Sequence, residues 1–391
     1  MKNAAFRSEG DGFGFGSEEA LLRDQARKFL DRHATPQRLR ALIGDHEAVY
    51  ARGALPGYDR EAWQHCVELG WTALAVPEAC GGLGASTVAV AALVEEVGRH
   101  AFPSPLTATL NASFVLRHAA GARAKEWLER IAGGATMSLA VHGASTWELD
   151  ATEVRAEAKG RTLVLDGSAY LVQDAFKADA FLVAARTSEG LCLAVVAKDA
   201  PGLAVARDHI FDLTRDQAHL VLSEVAVTEE DLVAPPGQGL AALRGALPSL
   251  LTTISADLVG ASEWQLQTTV EYAKTRKQFE RTIGFFQAVK HPLVDAMMRI
   301  DLARSHLYNA ARQIDLGADA PEVSARMAKS AASDAAMFMS KQSVQLHGGI
   351  GFTWECDVHI FFKRNQHNAA LYGDGVHQRK KLAQALLGPP G

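Results

Sequence analysis

Two short stretches of this chain concentrate groups suited to holding a diphosphate. The first, Tyr272 to Gln287, places Arg276, Gln278 and Phe279 at the end of a helix-patterned run, and Phe286-Gln287 closes the turn that follows. The second, Gln345 to Glu355, reads Gln-Leu-His-Gly-Gly-Ile-Gly-Phe-Thr-Trp-Glu. A planar guanidinium such as that of Arg276 meets two phosphate oxygens at once. The paired glycines Gly348 and Gly349 let a dinucleotide lie against bare backbone, since no Cβ stands in the way.

Other reactive side chains form weaker patterns. Cys356 and His359 stand at metal-like spacing but no second pair accompanies them, and such a lone pair on a helix is ordinary packing. His65-Cys66 lacks the third group that would orient a Cys-His nucleophile. No Gly-x-Gly-x-x-Gly follows a strand pattern, which argues against a nicotinamide site. Met297-Met298 and Met337 with Met339 recur at helical spacing and read as core.

The elements that must position these groups fall into three stretches. With 391 residues the chain exceeds one compact core, and 48% hydrophobic residues suffice to fill two or three domains. Residues 1–133 read as an α-helical domain: Leu21, Leu22, Ala26, Phe29 and Leu30 recur at helix spacing, and Trp63, Val67, Leu69 and Leu74 lead into Pro77 and the Gly81-Gly82 break. Residues 134–236 read as a small antiparallel β domain, a sandwich or barrel. Leu163-Val164-Leu165, Phe181-Leu182-Val183, Leu191 to Val196 and Leu220 to Val227 are short strand-like runs between turn signals. Residues 237–391 return to helix and read as a four-helix bundle, with one apolar face from Leu250, Leu251, Ile254, Leu258 and Ala261 and another opening at Val294, Met297, Met298 and Ile300. Pro321 suits a first helical turn, and Gly348-Gly349 ends the last long helix. The fold class expected is α+β multidomain, mostly α.

A net charge of -5, from 40 basic and 45 acidic residues spread along the chain, offers nucleic acid no basic face. The four cysteines are widely separated and form no Cys-x-x-Cys pair, which suits a reducing cytoplasm. The N-terminus, with Gly10, Gly12, Gly14 and Gly16, has no apolar core, and no run reaches the ~18 apolar residues of a membrane span. A cytoplasmic protein without a membrane span is expected.

Both opening stretches resemble the flavin-anchoring segments of the acyl-CoA dehydrogenase family. The resemblance covers nearly the whole chain, since Gly70-Trp71 through Val76-Pro77-Glu78 and Gly81-Gly82-Leu83-Gly84 look like that family's first-domain signature. Its most specific part is the spaced set Tyr272, Arg276, Gln278, Phe279, Ile283, Gly284, Phe286, Gln287 and His291. The resemblance implies an FAD held mainly by an adjacent subunit, with Arg276, Gln278, Gln345, Gly348 and Gly349 on its ADP half and Phe279 and Gln287 packed beside them. It also implies an acyl-CoA substrate, a dimer of dimers and electron-transfer flavoprotein as electron acceptor.

Catalysis in that family needs a carboxylate that removes the α-proton of the thioester while the β-hydrogen leaves as hydride to the flavin, and an apolar pocket raises its pKa toward neutrality. The family's glutamate position falls here on Tyr372, followed by Gln378-Arg379, and the position used by a smaller branch falls on Leu250. Neither is an acid. Tyrosine, with an ordinary pKa of about 10, stays protonated at neutral pH. Two acids lie close enough in sequence to stand in: Asp374, two residues beyond Tyr372, and Asp257, seven residues after Leu250 and so on the same helix face.

The middle stretch departs too. Where the family carries a Thr-Glu-Pro-x-x-Gly-Ser-Asp-like segment and a Trp-Ile-Thr/Ser segment around the flavin ring, this chain reads Ala140-Val141-His142-Gly143-Ala144-Ser145 and Tyr170-Leu171-Val172-Gln173-Asp174, with Leu171 at the tryptophan position. The ADP half of the site is kept in type and the ring half is not. Such a split suits a heterotetramer in which a paralogous dehydrogenase subunit supplies ring pocket and base, as in the branch associated with steroid side-chain degradation. A homotetramer with a displaced base and a noncatalytic interaction subunit are the alternatives.

Overall fold

A computed structural model describes residues 15–44, 57–119 and 121–388, so Gly10, Gly12 and Gly14 lie outside the described residues. Ahead of the sheet the described residues form six α-helices: α1 Ser17–His33, α2 Pro36–Ile43, α3 Arg60–Glu68, α4 Thr87–Arg99, α5 Leu106–Arg117 and α6 Ala122–Ala132. Local chemistry sets their starts. The hydroxyls of Thr35 and Ser86 and the carboxylate of Asp59 accept free backbone N–H groups of α2, α4 and α3.

Eight strands follow as one sheet in the order β6-β7-β3-β2-β4-β5-β8, with β1 beside β4. They span β1 Met137–Ala140, β2 Arg155–Lys159, β3 Thr162–Gln173, β4 Ala180–Thr187, β5 Gly190–Ala197, β6 Leu203–Arg207, β7 Gln217–Thr228 and β8 Leu232–Ala234. The long ladders β3-β7 and β4-β5 are antiparallel, but β1 and β2 both pair with β4 in parallel. The four strand-like runs of the sequence are β3, β4, β5 and β7. Their neighbours β1, β2, β6 and β8 are short and become strands through pairing rather than pattern.

The remaining chain comprises α7 Gly239–Thr275, the two-residue strands β9 Lys277–Gln278 and β10 Arg281–Thr282, then α8 Gln287–Asp315, α9 Pro321–His347, α10 Val358–Ala370 and α11 Gly375–Leu387. Pro321 opens α9 and Gly348 caps its end, as the sequence suggests. The α7 helix is buried on every side from Ala246 to Ser262, so its 3.6-residue periodicity disappears in the middle of the bundle. The expected apolar face at the start of α8 requires correction. Ile300 is buried, but Val294, Met297 and Met298 stand out from the surface, and Met297-Met298 is not core. Met339 is fully buried and Met337 packs partly against the same core, as expected of that pair.

One apolar core runs from α1 and α3–α6 across β1, β4 and β5 into α7–α9, and a second lies within the sheet region. At the crossing of α4 and α7 the two backbones touch. A Cβ on Gly260 would come within 1.8 Å of the Glu95 carbonyl oxygen, and one on Gly98 within 2.2 Å of the Asp257 carbonyl oxygen. Beside this crossing the buried Glu95 accepts from Arg304 Nε at 2.9 Å and from the Tyr308 hydroxyl at 2.7 Å. Gly260→Ala is therefore expected to force the helices apart and destabilise the fold by about 1–3 kcal/mol or more. Urea denaturation measures it, and a loss under ~0.5 kcal/mol would show that the crossing yields.

Candidate active site

The diphosphate-type residues meet at one end of the bundle. After α7 stops at Thr275, β9 and β10 form a hairpin with Gln278 opposite Arg281 and Phe279-Glu280 at its tip. Both tip residues have positive φ, 52° and 59°, a costly conformation for phenylalanine, and the Phe279 ring is 86% exposed. Held strain of this kind concentrates where a side chain must be presented. Arg276 is exposed and its guanidinium has no hydrogen bond or ion pair among the described residues. Gln278, Gln287 and Gln345 are exposed as well.

The hairpin is joined to the glycine turn by Tyr272, whose ring stacks on His347 at 4.3 Å and whose hydroxyl donates to the His347 carbonyl at 3.5 Å. Directly beyond His347 come Gly348, with φ 66°, and Gly349; a Cβ at either would have no neighbour within 4 Å. Backbone left open in this way, on the turn that Tyr272 joins to the base of the Arg276 hairpin, is the kind a dinucleotide can lie against.

A second locus surrounds Tyr372. A small chamber of about 20 Å³ is lined by Asn111 of α5, His142, Trp147, Leu171, Gln173 and Tyr372. Tyr372 has φ 56° and Gly373 φ 89°. This strained turn is tied down by Gln378, whose amide donates to the Tyr372 carbonyl at 2.6 Å and the Gly373 carbonyl at 3.3 Å, while Arg326 holds the Gln378 oxygen at 2.7 Å. The turn is also braced from behind. Lys329, fully buried, donates to the Ala369 carbonyl at 2.8 Å and to Ser333 Oγ at 2.9 Å, and burial pushes its ammonium down to about 7 against the pull of Asp374 and Asp334.

Burial pushes the Tyr372 phenol up to about 12, against the opposing hydrogen bond from Asn111, so it is a still poorer proton acceptor than free tyrosine. Leu250 is fully buried in α7 and offers no proton-transfer group. Asp374 is exposed and caps α11, accepting the His377 N–H at 2.8 Å. It does not line the chamber.

Asp257 as a stand-in base is corrected by its surroundings. It is fully buried and accepts from Arg364 Nε at 2.8 Å and Nη2 at 2.6 Å, from Arg215 Nη2 at 2.7 Å and from Asn368 Nδ2 at 2.8 Å. Burial alone would raise its pKa, but Arg364 and Arg215 outweigh burial and hold the carboxyl below its usual range. A carboxylate gripped by two guanidiniums does not take protons at neutral pH. Its work is structural. Arg215 also reaches Asp174 at 3.4 Å, and Asp174 pairs with Lys177 at 2.7 Å, so the chain of charges ties the sheet to α7 and α10.

The fold that carries these residues recurs in known proteins. Residues 16–135 match the model of the acyl-CoA dehydrogenase N-terminal domain and residues 237–387 that of the acyl-CoA dehydrogenase C-terminal domain. The chain belongs to the acyl-CoA dehydrogenase family. It is 33% identical over 355 residues to acyl-CoA dehydrogenase IpdE2 of Mycobacterium tuberculosis (strain ATCC 25618 / H37Rv), covering 90% of this chain and 92% of that one. Among solved structures it is similar to a variant of the steroid ACAD Tcur3481-Tcur3483, with TM-score 0.84, 28% identity and coverage of 96% of this chain and 98% of that one. It is also similar to the ChsE4-ChsE5 complex from Mycobacterium tuberculosis, with TM-score 0.86, 25% identity and coverage of 97% and 100%.

Within this acyl-CoA dehydrogenase scaffold several residues of the chamber escape sequence reasoning. His142 lies in the segment whose departure from the family is visible in sequence, but only the fold brings it against Trp147 and Tyr372, with ring centroids 4.9 and 5.6 Å away. Asn111, Arg215 and Arg364 carry no motif at all. Their signal is burial, which the sequence does not print.

Proposed function

We propose that this chain serves an FAD-dependent α,β-desaturation of an acyl-CoA thioester as one subunit of a heteromeric dehydrogenase, supplying the ADP clamp for a flavin whose ring and catalytic base belong to a paralogous subunit. The observation that carries this is the contrast between the two loci. At one, the unpaired Arg276, the strained Phe279 tip and the open Gly348-Gly349 backbone are all turned outward, toward a ligand or neighbour that the chain itself does not fill. At the other, the family's base position is a half-buried tyrosine beside a chamber of about 20 Å³, far below the few hundred Å³ of a cofactor pocket.

In the ADP half, Arg276 would bind the pyrophosphate, with Gln278, Gln345, Gly348 and Gly349 along the adenosine side and Phe279 and Gln287 packed around them. When bound, the flavin supplies a hydride acceptor for the β-hydrogen. The ring half of this chain does not fit that group, since Leu171 replaces the family's tryptophan and the space beside Tyr372 measures only about 20 Å³. Two of the similar structures support a heteromer in kind: ChsE4-ChsE5 is named as a complex, and Tcur3481-Tcur3483 is named as a steroid ACAD under a paired designation. Steroid or other bulky acyl groups are accordingly the substrate class proposed, with electron-transfer flavoprotein as acceptor. No described helix is long and apolar enough to cross a membrane.

The test is expression of the chain alone and together with a paralogous acyl-CoA dehydrogenase subunit that carries an intact glutamate. Stoichiometric flavin and acyl-CoA oxidation are expected only in the co-expressed form. Full flavin content and turnover from the chain alone would overturn the proposal.

A further inference from the structure

The glycine turn of the clamp shares its flank with an apolar cup. Val344, one residue before Gln345, and Phe352, the last residue of the Gly348–Phe352 turn, both line a cavity of about 500 Å³. Its other apolar walls are Phe211, from the loop between β6 and β7, with Trp354 ahead of α10 and Phe362 on that helix. Phe211 is 73% exposed and Phe352 70%. Folded chains seldom turn two such rings toward one open cavity unless another surface covers them.

Two polar groups stand among these walls. His359 is 6% exposed, its ring meets that of Trp354 edge-on at 4.8 Å, and its Nε2 has no hydrogen-bond partner. The Lys363 ammonium lies 5.1 Å from the centre of the Trp354 ring. Asp212 acts on it through space, but it has no ion pair or hydrogen bond among the described residues. Aromatic walls around one unpaired polar atom, with a cation beside them, form the receiving half of a protein contact, in which a single large side chain anchors the partner.

The clamp identifies that partner. A flavin nucleotide gripped at Arg276 and Gly348-Gly349, with its ring held elsewhere, brings the surface of the ring-holding subunit to this turn, and the cup lies on the same turn. A second copy of this chain does not serve, because its own space beside Tyr372 measures about 20 Å³ and offers no ring pocket.

We propose that the cup formed by Phe211, Phe352, Trp354 and Phe362 is the socket on which the flavin-bearing paralogous subunit docks, filled by a large apolar side chain that the partner presents beside a carboxylate for Lys363. The inference rests on the heteromer reading given above. It adds a surface that joins the two subunits through protein contact, and it places socket and clamp on one turn, so that docking sets the clamp against the partner's nucleotide.

The test co-expresses the full chain with a paralogous subunit that carries an intact glutamate and follows assembly by sedimentation velocity over a dilution series. Phe211→Asp puts a charge into the socket at a residue that belongs to none of the apolar cores, so the variant is expected to fold as the parent does. It is expected to weaken the complex by about thirty-fold or more, the effect of losing an interface hot spot. Lys363→Glu, a second route should the first variant fold poorly, is expected to weaken it by about ten-fold through reversal of the charge at the socket. At concentrations high enough to restore assembly, Phe211→Asp should carry as much flavin as the parent, since its clamp is intact. Parent-like assembly of both variants would overturn the inference alone. Self-association of the chain expressed by itself, abolished by Phe211→Asp while the mixed complex persists, would also overturn it and give the cup to a second copy. Failure of the parent chain to form a complex with any paralogous subunit would overturn the heteromer reading as well.

Discussion

Arg276→Ala is expected to strip flavin from the assembled dehydrogenase, weakening FAD by about ten- to hundred-fold, as loss of a charge-assisted bidentate contact of ~1.5–3 kcal/mol implies. The guanidinium is exposed and has no partner among the described residues, so its removal touches nothing that holds the subunit together. The variant's own thermal unfolding should accordingly stay within about 0.5 kcal/mol of the parent, the range of ordinary surface changes. Arg276→Lys keeps the charge but not the planar fork and should recover only part of the affinity. The ratio of flavin absorbance to protein after dialysis reads the effect. Unchanged flavin retention in Arg276→Ala would remove the clamp from the proposal, whatever the activity assay shows.

Asp257→Ala should be the most damaging single change to the fold, at about 3–5 kcal/mol, because it leaves Arg364 and Arg215 buried without their counter-charge. Arg364 is fully buried and Arg215 nearly so, and neither can turn to water without opening the seam between the sheet and α10. The pH dependence has a definite sign. The carboxyl is held below its usual value in the fold, whereas in the unfolded chain it titrates near 3.9. Its stabilisation is therefore fully present above that unfolded value and is lost as pH falls through the depressed folded value. Denaturation of the parent and of Asp257→Asn from pH 7 down to about pH 2 would show it as a loss of stability on acidification below the unfolded value in the parent that the variant lacks. A parallel pair of curves would assign the acid sensitivity elsewhere.

The residues that name the family were legible in sequence because the family marks them with type and spacing on an exposed surface. Arg276, Gln278, Gln345, Gly348 and Gly349 stand at helix ends and in a tight hairpin, where local rules of turn and cap operate and little tertiary context intervenes. The helical and strand-like stretches were legible for a related reason: runs such as Leu21 to Leu30 in α1 and Leu220 to Val227 in β7 carry the spacing of their own element. Misreadings arose where the surroundings decide. Met297 and Met298 have core spacing but sit on the outward side of α8, and short β1, β2, β6 and β8 acquire their ladders only from neighbours.

The site divides along the same line. The sequence by itself determined that Arg276, Gln278, Gln345, Gly348 and Gly349 have the types and spacing proposed here for a diphosphate clamp, and that the usual glutamate position holds Tyr372, since both are statements about which residue occupies which position. Only the tertiary structure decided what the remaining acids and rings do. Asp257 shares a helix with Leu250, and nothing local distinguishes a base from an anchor; the two guanidiniums that settle it arrive from β7's preceding loop and from α10, Arg215 and Arg364. His142 meets Trp147 and Tyr372 only because folding brings their rings together, at 4.9 and 5.6 Å. Protonation and hydrogen bonding depend on the dielectric and on groups a few ångströms away, and those neighbours come from distant parts of the chain.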